Sequence, residues 1–194
     1  MIIEKYKAIF IHIPKNAGTS IETLFANSSF IIQPYKHANI HEIKKKFPKE
    51  YDSYRKFTVI RNPYDKMVSW YFYIKENSLK GAPAYPLPET RIDFKAWVKE
   101  PSSFWYASPS LLHFFFDPPH FLDPQHAWVD NTVEIIKFEN LNNELSEFFG
   151  EKIDLPITNK SDHDHFSSYY DEKSSNIIYN RYKEDFERYN YKKI

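Results

Sequence analysis

The chain has 194 residues, a length that suits one compact domain able to bury roughly two-thirds of its unfolded surface. Its 26 Lys and Arg balance 26 Asp and Glu, so no global basic field gathers nucleic acid or an anionic membrane, and any anion must be recognised locally. Cysteine is absent, which excludes disulfides and thiolate chemistry, and with only three glycines each marks a place where the backbone needs one.

The opening IIEKYKAIFIHI is too short an apolar stretch for a signal-peptide core or a membrane span, so the chain is expected to be cytoplasmic, untargeted and complete, with no membrane insertion. Within it AIFIHI at 8–13, β-branched and ended by Pro14, predicts a strand buried on both faces of a parallel sheet. TSIETLFA at 19–26 predicts a helix, with Thr19 as cap, Glu22 completing a capping box, and Ile21, Leu24 and Phe25 on one face. SFIIQPY at 29–35 predicts a second strand, NIHEIKKKF at 39–47 a short helix stopped by Pro48, and KFTVI at 56–60 a third, buried strand. Directly after it Asn62 caps a helix, with Pro63 at its first position, Asp65 in its first turn, and an apolar stripe of Tyr64, Met67, Val68 and Tyr71.

The stretch 76–124, with KGAPAYPLPET inside it, reads as a loop excursion carrying short helices near 92–99 and 108–114. TVEIIKF at 132–138 returns to strand and ELSEFF at 144–149 to a helix that Gly150 ends. KSSNIIYNRYKEDFERY closes the chain as one amphipathic helix with Ile178, Tyr182, Phe186 and Tyr189 on one side. Strands separated by helices predict one α/β domain, a central parallel sheet with helices on both faces, whose ligands bind beyond the carboxyl ends of the strands.

Two loops at such ends carry unusual chemistry. HIPKNAGTS at 12–20 sets Lys15, Gly18 and two hydroxyl residues at a helix start, where unpaired N–H groups and the dipole favour an anion. The plainer reading is a capped strand-to-helix turn with a surface lysine. It is not a Walker A loop, because its lysine leads the loop instead of preceding the hydroxyl residue, and this disfavours an ATPase or kinase. In FTVIRNPYDKMVSWYFY at 57–73, Arg61 leaves the strand end and Ser69 follows two helical turns on, a fork and a hydroxyl suited to one phosphate. The plainer reading there pairs Arg61 with Asp65 and back-bonds Ser69 to its own helix.

IFIHIPKNAGTSIE resembles the 5'-phosphosulfate loop of sulfotransferases that use 3'-phosphoadenosine 5'-phosphosulfate (PAPS), and VIRNPYDKMVSWY resembles their 3'-phosphate motif. Both take the form found in the carbohydrate and heparan-type branch and its bacterial relatives. PQHAWV at 124–129, IIKFENL at 135–141, LPITNKSDHDHFSSYYDE at 155–172 and IIYNRYKEDFERYNY at 177–191 resemble that branch in order and spacing, while 76–120 matches it poorly.

The resemblance implies a P-loop NTPase-like sulfotransferase fold over 1–194, with 76–125 as the acceptor-binding excursion. It implies that Lys15, Asn16, Gly18, Thr19 and Ser20 surround the 5'-phosphosulfate, Lys15 also stabilising the bridging oxygen, and that Arg61 and Ser69 hold the 3'-phosphate. Lys160 and Ser161 become candidates for closing over the nucleotide. The implied acceptor is a hydroxyl, of a glycan or a glycosylated small molecule. In-line transfer of a group less charged than a phosphoryl asks mainly for positioning and neutralisation, and no metal is expected.

A base must take the acceptor proton, and histidine titrates nearest neutrality. KHANIHEI offers His37, the favoured candidate, and His41, with Glu42 as a fallback. His12 reads as a packed or hydrogen-bonded residue, His163 and His165 as loop residues and not a metal site, and Trp70, Trp97, Trp105 and Trp128 as core before sugar platforms. His113, His120 and His126 carry no assignment. Two other functions stand beside the enzyme: a nucleotide-bisphosphate binder that has lost its base, and a P-loop small-molecule kinase. Oligomeric state is not legible.

Overall fold

The computed structural model describes residues 1–27, 35–80, 93–99, 122–156 and 163–194. They fall into two units, Met1–Arg61 with Gln125–Lys160, and Asn62–Pro124 with Ser161–Ile194.

The first unit is built on a four-stranded sheet in the order β1 (Ile2–Ile3), β2 (Ala8–Ile11), β3 (Arg55–Ile60), β4 (Val133–Lys137). β2, β3 and β4 are parallel, with Phe10 opposite Phe57 and Thr58 opposite both Ile11 and Ile135. β1 runs antiparallel to β2, so the sheet is mixed where an all-parallel one was expected. The cause is the connection: a 3-10 turn over Glu4–Tyr6 and Lys7 in the left-handed region (φ 46°) fold the chain straight back, too short a path for the crossover that parallel strands need.

Ala8, Phe10, Phe57, Val59 and Ile136 face Ile21 of α1 (Gly18–Leu24), together with Phe25 just beyond it, and Leu145 and Phe148 of α6 (Leu141–Phe149). Phe57 lies at the centre of this layer, with ring centroids 5.1 Å from Phe10 and 4.7 Å from Phe148. The intervening residues Ile9, Ile11, Thr58 and Ile60 are buried as well, so β2 along its length and β3 from Phe57 onwards are covered on both faces. α2 (Ile40–Lys46) starts at an Asn39–Glu42 capping box, and Pro48, expected only to stop it, takes the first position of a further helix, α3 (Pro48–Ser53). Gly150, at φ 69°, ends α6 as the sequence predicts.

In the second unit Asn62 caps α4 (Pro63–Leu79) by accepting from the Tyr64 amide at 3.0 Å, with Pro63 at its first position. The helix runs to Leu79, past the point where an irregular stretch was expected to begin. Its stripe of Tyr64, Met67, Val68 and Tyr71 packs with Phe94, Trp97 and Val98 of α5 (Phe94–Lys99), Ile178 of α7 (Glu172–Arg181), Tyr182, and Phe186 of α8 (Lys183–Arg188). The closing helix buries the expected face but breaks at Tyr182 (φ −114°, ψ 26°), whose hydroxyl donates to the Leu122 carbonyl at 3.1 Å.

The expected strand at 29–35 up to its last residue, the helix at 108–114, Trp105, His113 and His120 lie outside the described residues, and that last residue, Tyr35, opens a 3-10 turn, Tyr35–His37. Among the described residues no helix is long and apolar enough to cross a membrane.

Candidate active site

The loop after β2 is set by its backbone. Lys15 (φ 68°) and Ala17 (φ 61°) are both left-handed while Asn16 between them is not. Each costs about 1–3 kcal/mol for a residue other than glycine, and such strain concentrates where a ligand is held. α1 therefore starts earlier than expected: Ala17 is its N-cap, no side chain caps it, and Thr19 lies exposed inside the first turn.

The capping box expected between Thr19 and Glu22 does not form, because Glu22 has stronger partners. Its buried carboxylate accepts from His12 Nδ1 at 2.7 Å and from Lys36 Nζ at 2.8 Å. Burial pushes this carboxyl up, but the His12 imidazole and the Lys36 ammonium outweigh it and hold the group at about 2. Gly18 serves the same cluster. A Cβ on it would lie 1.8 Å from His12 Nε2, so glycine is required here for the close approach of the His12 ring.

His37 completes the cluster. Its Nδ1 lies 3.1 Å from the His12 carbonyl, and the two rings are 4.4 Å apart. A carbonyl only accepts, so Nδ1 carries the hydrogen and the neutral ring keeps its lone pair on Nε2. Burial, then His12 and the Lys36 charge, lower His37 to about 3, and His12 is lowered by its own burial. His41 stands exposed in the first turn of α2, and the Glu42 carboxylate accepts from the Asn39 amide at 2.8 Å, which commits the fallback base to capping.

The end of β3 meets this loop directly. Arg61, 9% exposed, donates through Nη1 to the Lys15 carbonyl at 2.9 Å, and its guanidinium lies 4.2 Å from the centre of the Phe138 ring. Asn16 is fully buried, and its amide nitrogen donates to the Val59 carbonyl (2.6 Å) and to Gln125 Oε1 (2.7 Å). Its side chain thus ties the loop to β3 and does not project from it. Gln125 also holds the Arg61 main chain, accepting from its N–H at 3.0 Å and donating to its carbonyl at 2.8 Å.

Lys15 is half-buried and Ser20 is buried. Ser69 is buried on α4, in the second unit, and Lys160 and Ser161 lie outside the described residues. Gln125 and Phe138 were not singled out from sequence. They sit in PQHAWV and IIKFENL, segments marked only as resembling a family, and neither shows a periodicity or spacing that announces its partner. Trp70, Trp97 and Trp128 are packed, and His163 stacks on Phe72 at 5.2 Å. Among the described residues no cluster of three or more potential ligands stands ready for a metal ion.

A strained, lysine-bearing loop at one strand end is thus joined to an arginine at the end of the next parallel strand. The sequence model of the Sulfotransferase family matches residues 1–109, more than half of the chain, and the chain belongs to that family. Its mixed sheet flanked by helices agrees with the sulfotransferase fold, and its reaction class is sulfuryl transfer. No curated protein and no solved structure matches it.

Proposed function

We propose that the chain transfers a sulfuryl group from PAPS to a hydroxyl of a carbohydrate or glycosylated acceptor and releases adenosine 3',5'-bisphosphate. The observation that carries this reading is the bond from Arg61 Nη1 to the Lys15 carbonyl, which sets a guanidinium beside the strained loop at the end of the neighbouring strand. An adenosine phosphorylated at both 5' and 3' positions suits such a pair, and AMP or ATP suits only part of it. PAPS supplies the activated sulfuryl group when bound.

The chain's own residues do the rest. The amides from Lys15 to Ser20 meet the 5'-phosphosulfate, and the Lys15 ammonium neutralises the bridging oxygen as its bond to sulfur breaks. Arg61 meets the 3'-phosphate through its fork, held flat by Phe138. Ser69, Lys160 and Ser161 enter on the sequence motifs alone. Nε2 of His37 takes the acceptor proton; His37 is preferred to His41 because it is bonded to the His12 carbonyl, three residues before Lys15. No step needs a metal, since the transferred group carries little charge for one to offset.

The test is thermal shift with adenosine 3',5'-bisphosphate against AMP and ATP, followed by labelled PAPS with a panel of sugars. Preference for the 3'-phosphorylated nucleotide, lost in Arg61→Ala, is the expected result; equal response to AMP overturns the donor assignment. A second reading, nucleotide binding without turnover, is favoured by the depression of His37 to about 3, which makes it a weak base in the free protein. Nucleotide preference with no transfer to any acceptor selects it.

A further inference from the structure

The side chain of Gln125 closes a ring of interactions through both anion loops. Its Oε1 accepts from Asn16 Nδ2 (2.7 Å) and from the Arg61 amide (3.0 Å), and its Nε2 donates to the Arg61 carbonyl (2.8 Å). Arg61 Nη1 then reaches the carbonyl of Lys15 (2.9 Å), and Lys15 is covalently joined to Asn16. The amide cannot be flipped, because the Arg61 N–H needs an acceptor and the Arg61 carbonyl a donor.

The position of this ring matters. The ladder between β3 and β4 ends at the pair Ile60 and Lys137, so Arg61 is the first residue beyond it. A main chain leaving a sheet is free to swing. Here the Gln125 amide bonds both main-chain groups of Arg61, as a neighbouring strand would, and continues the sheet's constraint by one residue. Gln125 is 1% exposed, which shields these bonds from water and fixes the amide plane.

We infer that Gln125 is a positioning residue for donor recognition: through Arg61 and Asn16 it sets the separation between the 5'-phosphosulfate loop and the 3'-phosphate arginine. This inference rests on the donor reading proposed above. It touches no reacting atom and acts only through those two residues. It predicts that Gln125 governs discrimination between nucleotides with and without a 3'-phosphate, which general stability does not.

The experiment compares Gln125→Glu and Gln125→Met with the wild-type chain for the ratio of affinities for adenosine 3',5'-bisphosphate and AMP, beside the melting temperature. Glu keeps the size and the acceptors but sets a carboxylate oxygen against the Arg61 carbonyl, and Met keeps the volume and removes the three bonds. Both are expected to lower the ratio by roughly tenfold or more, the effect of one buried hydrogen bond. Asn16→Ala opens the ring at its other side and is expected to lower the ratio too, with little further loss when combined with Gln125→Glu. Should Gln125→Met not fold, Gln125→Glu and Asn16→Ala decide. A lowered melting temperature with the wild-type ratio intact overturns the inference alone. A wild-type chain that does not distinguish the two nucleotides overturns the donor reading and this inference together.

Discussion

The guanidinium of Arg61 donates to the carbonyl oxygen of Lys15 at 2.9 Å, across 46 positions of sequence. Lys15 is left-handed, and a left-handed non-glycine residue persists only where its surroundings hold it. Arg61 is part of what holds it. The guanidinium at one strand end and the backbone strain at the next are therefore coupled through this bond. Arg61→Ala is expected to reduce affinity for adenosine 3',5'-bisphosphate at least tenfold, about 1.4 kcal/mol or more. Arg61→Lys is expected to recover little of it, because a lysine keeps the charge but neither the fork nor the stack on Phe138. Titration calorimetry checks both, and full recovery by lysine sinks the idea.

Gly18→Ala tests the packing between the loop and His12. The new methyl carbon falls 1.8 Å from His12 Nε2, and the ring cannot retreat freely: Glu22 holds it on one side, and the Phe10 and His37 rings lie 5.6 Å and 4.4 Å away. Overpacking of this kind costs about 1–3 kcal/mol. Chemical denaturation is expected to show that loss, and the double variant Gly18→Ala with His12→Ala, which removes the obstructing ring, is expected to lose less than the two single variants summed. Strict additivity places the clash elsewhere.

Stability follows from the same cluster as pH falls. His37 binds its proton at about 3 in the fold and at 6.5 in the unfolded chain, so between these values the unfolded state holds more protons and acid destabilises the fold. The slope is at most about 1.4 kcal/mol per pH unit for one imidazole. Glu22, held at about 2 against an unfolded 4.5, adds loss in the same direction below 4.5. Melting temperatures are expected to fall from pH 6.5 downwards, and His37→Gln to flatten the curve between 6.5 and 4.5. Parallel curves for the two proteins remove His37 from the account.

What was legible in the sequence follows from range. β2 and the second half of β3 stood out because burial on both faces leaves apolar runs, β4 because its β-branched Val133, Ile135 and Ile136 outweigh its exposed Glu134, and Asn62, Pro63 and Gly150 marked helix ends through local chemistry. β1 was missed because two residues carry no pattern. The start of α1 was misread because Thr19 and Glu22 have capping-box spacing, while the partner that claims Glu22 is His12, ten positions away. Of the site, Arg61 and Lys15 leave the ends of two adjacent strands and meet through the Lys15 carbonyl. Gln125 escaped notice because its partners, Asn16 and Arg61, lie 109 and 64 positions away, where no local rule reaches.

His37 carries the sharpest prediction about chemistry. In the free protein burial and neighbouring positive charge hold its imidazole at about 3, neutral at any physiological pH, with the lone pair on Nε2. Such a ring is in the right form to accept a proton but holds it weakly. A nucleotide bearing several negative charges, bound at the loop that begins three residues after His12, changes that balance by favouring the imidazolium. Adenosine 3',5'-bisphosphate is expected to raise the His37 value by about 1–3 units, the usual effect of an opposite charge a few ångströms away. Titration of the imidazole by NMR, with and without the nucleotide, reads the shift directly, and His37→Gln identifies the resonance. A value that stays near 3 in the complex leaves His37 too weak to serve as the base and transfers the role to His41.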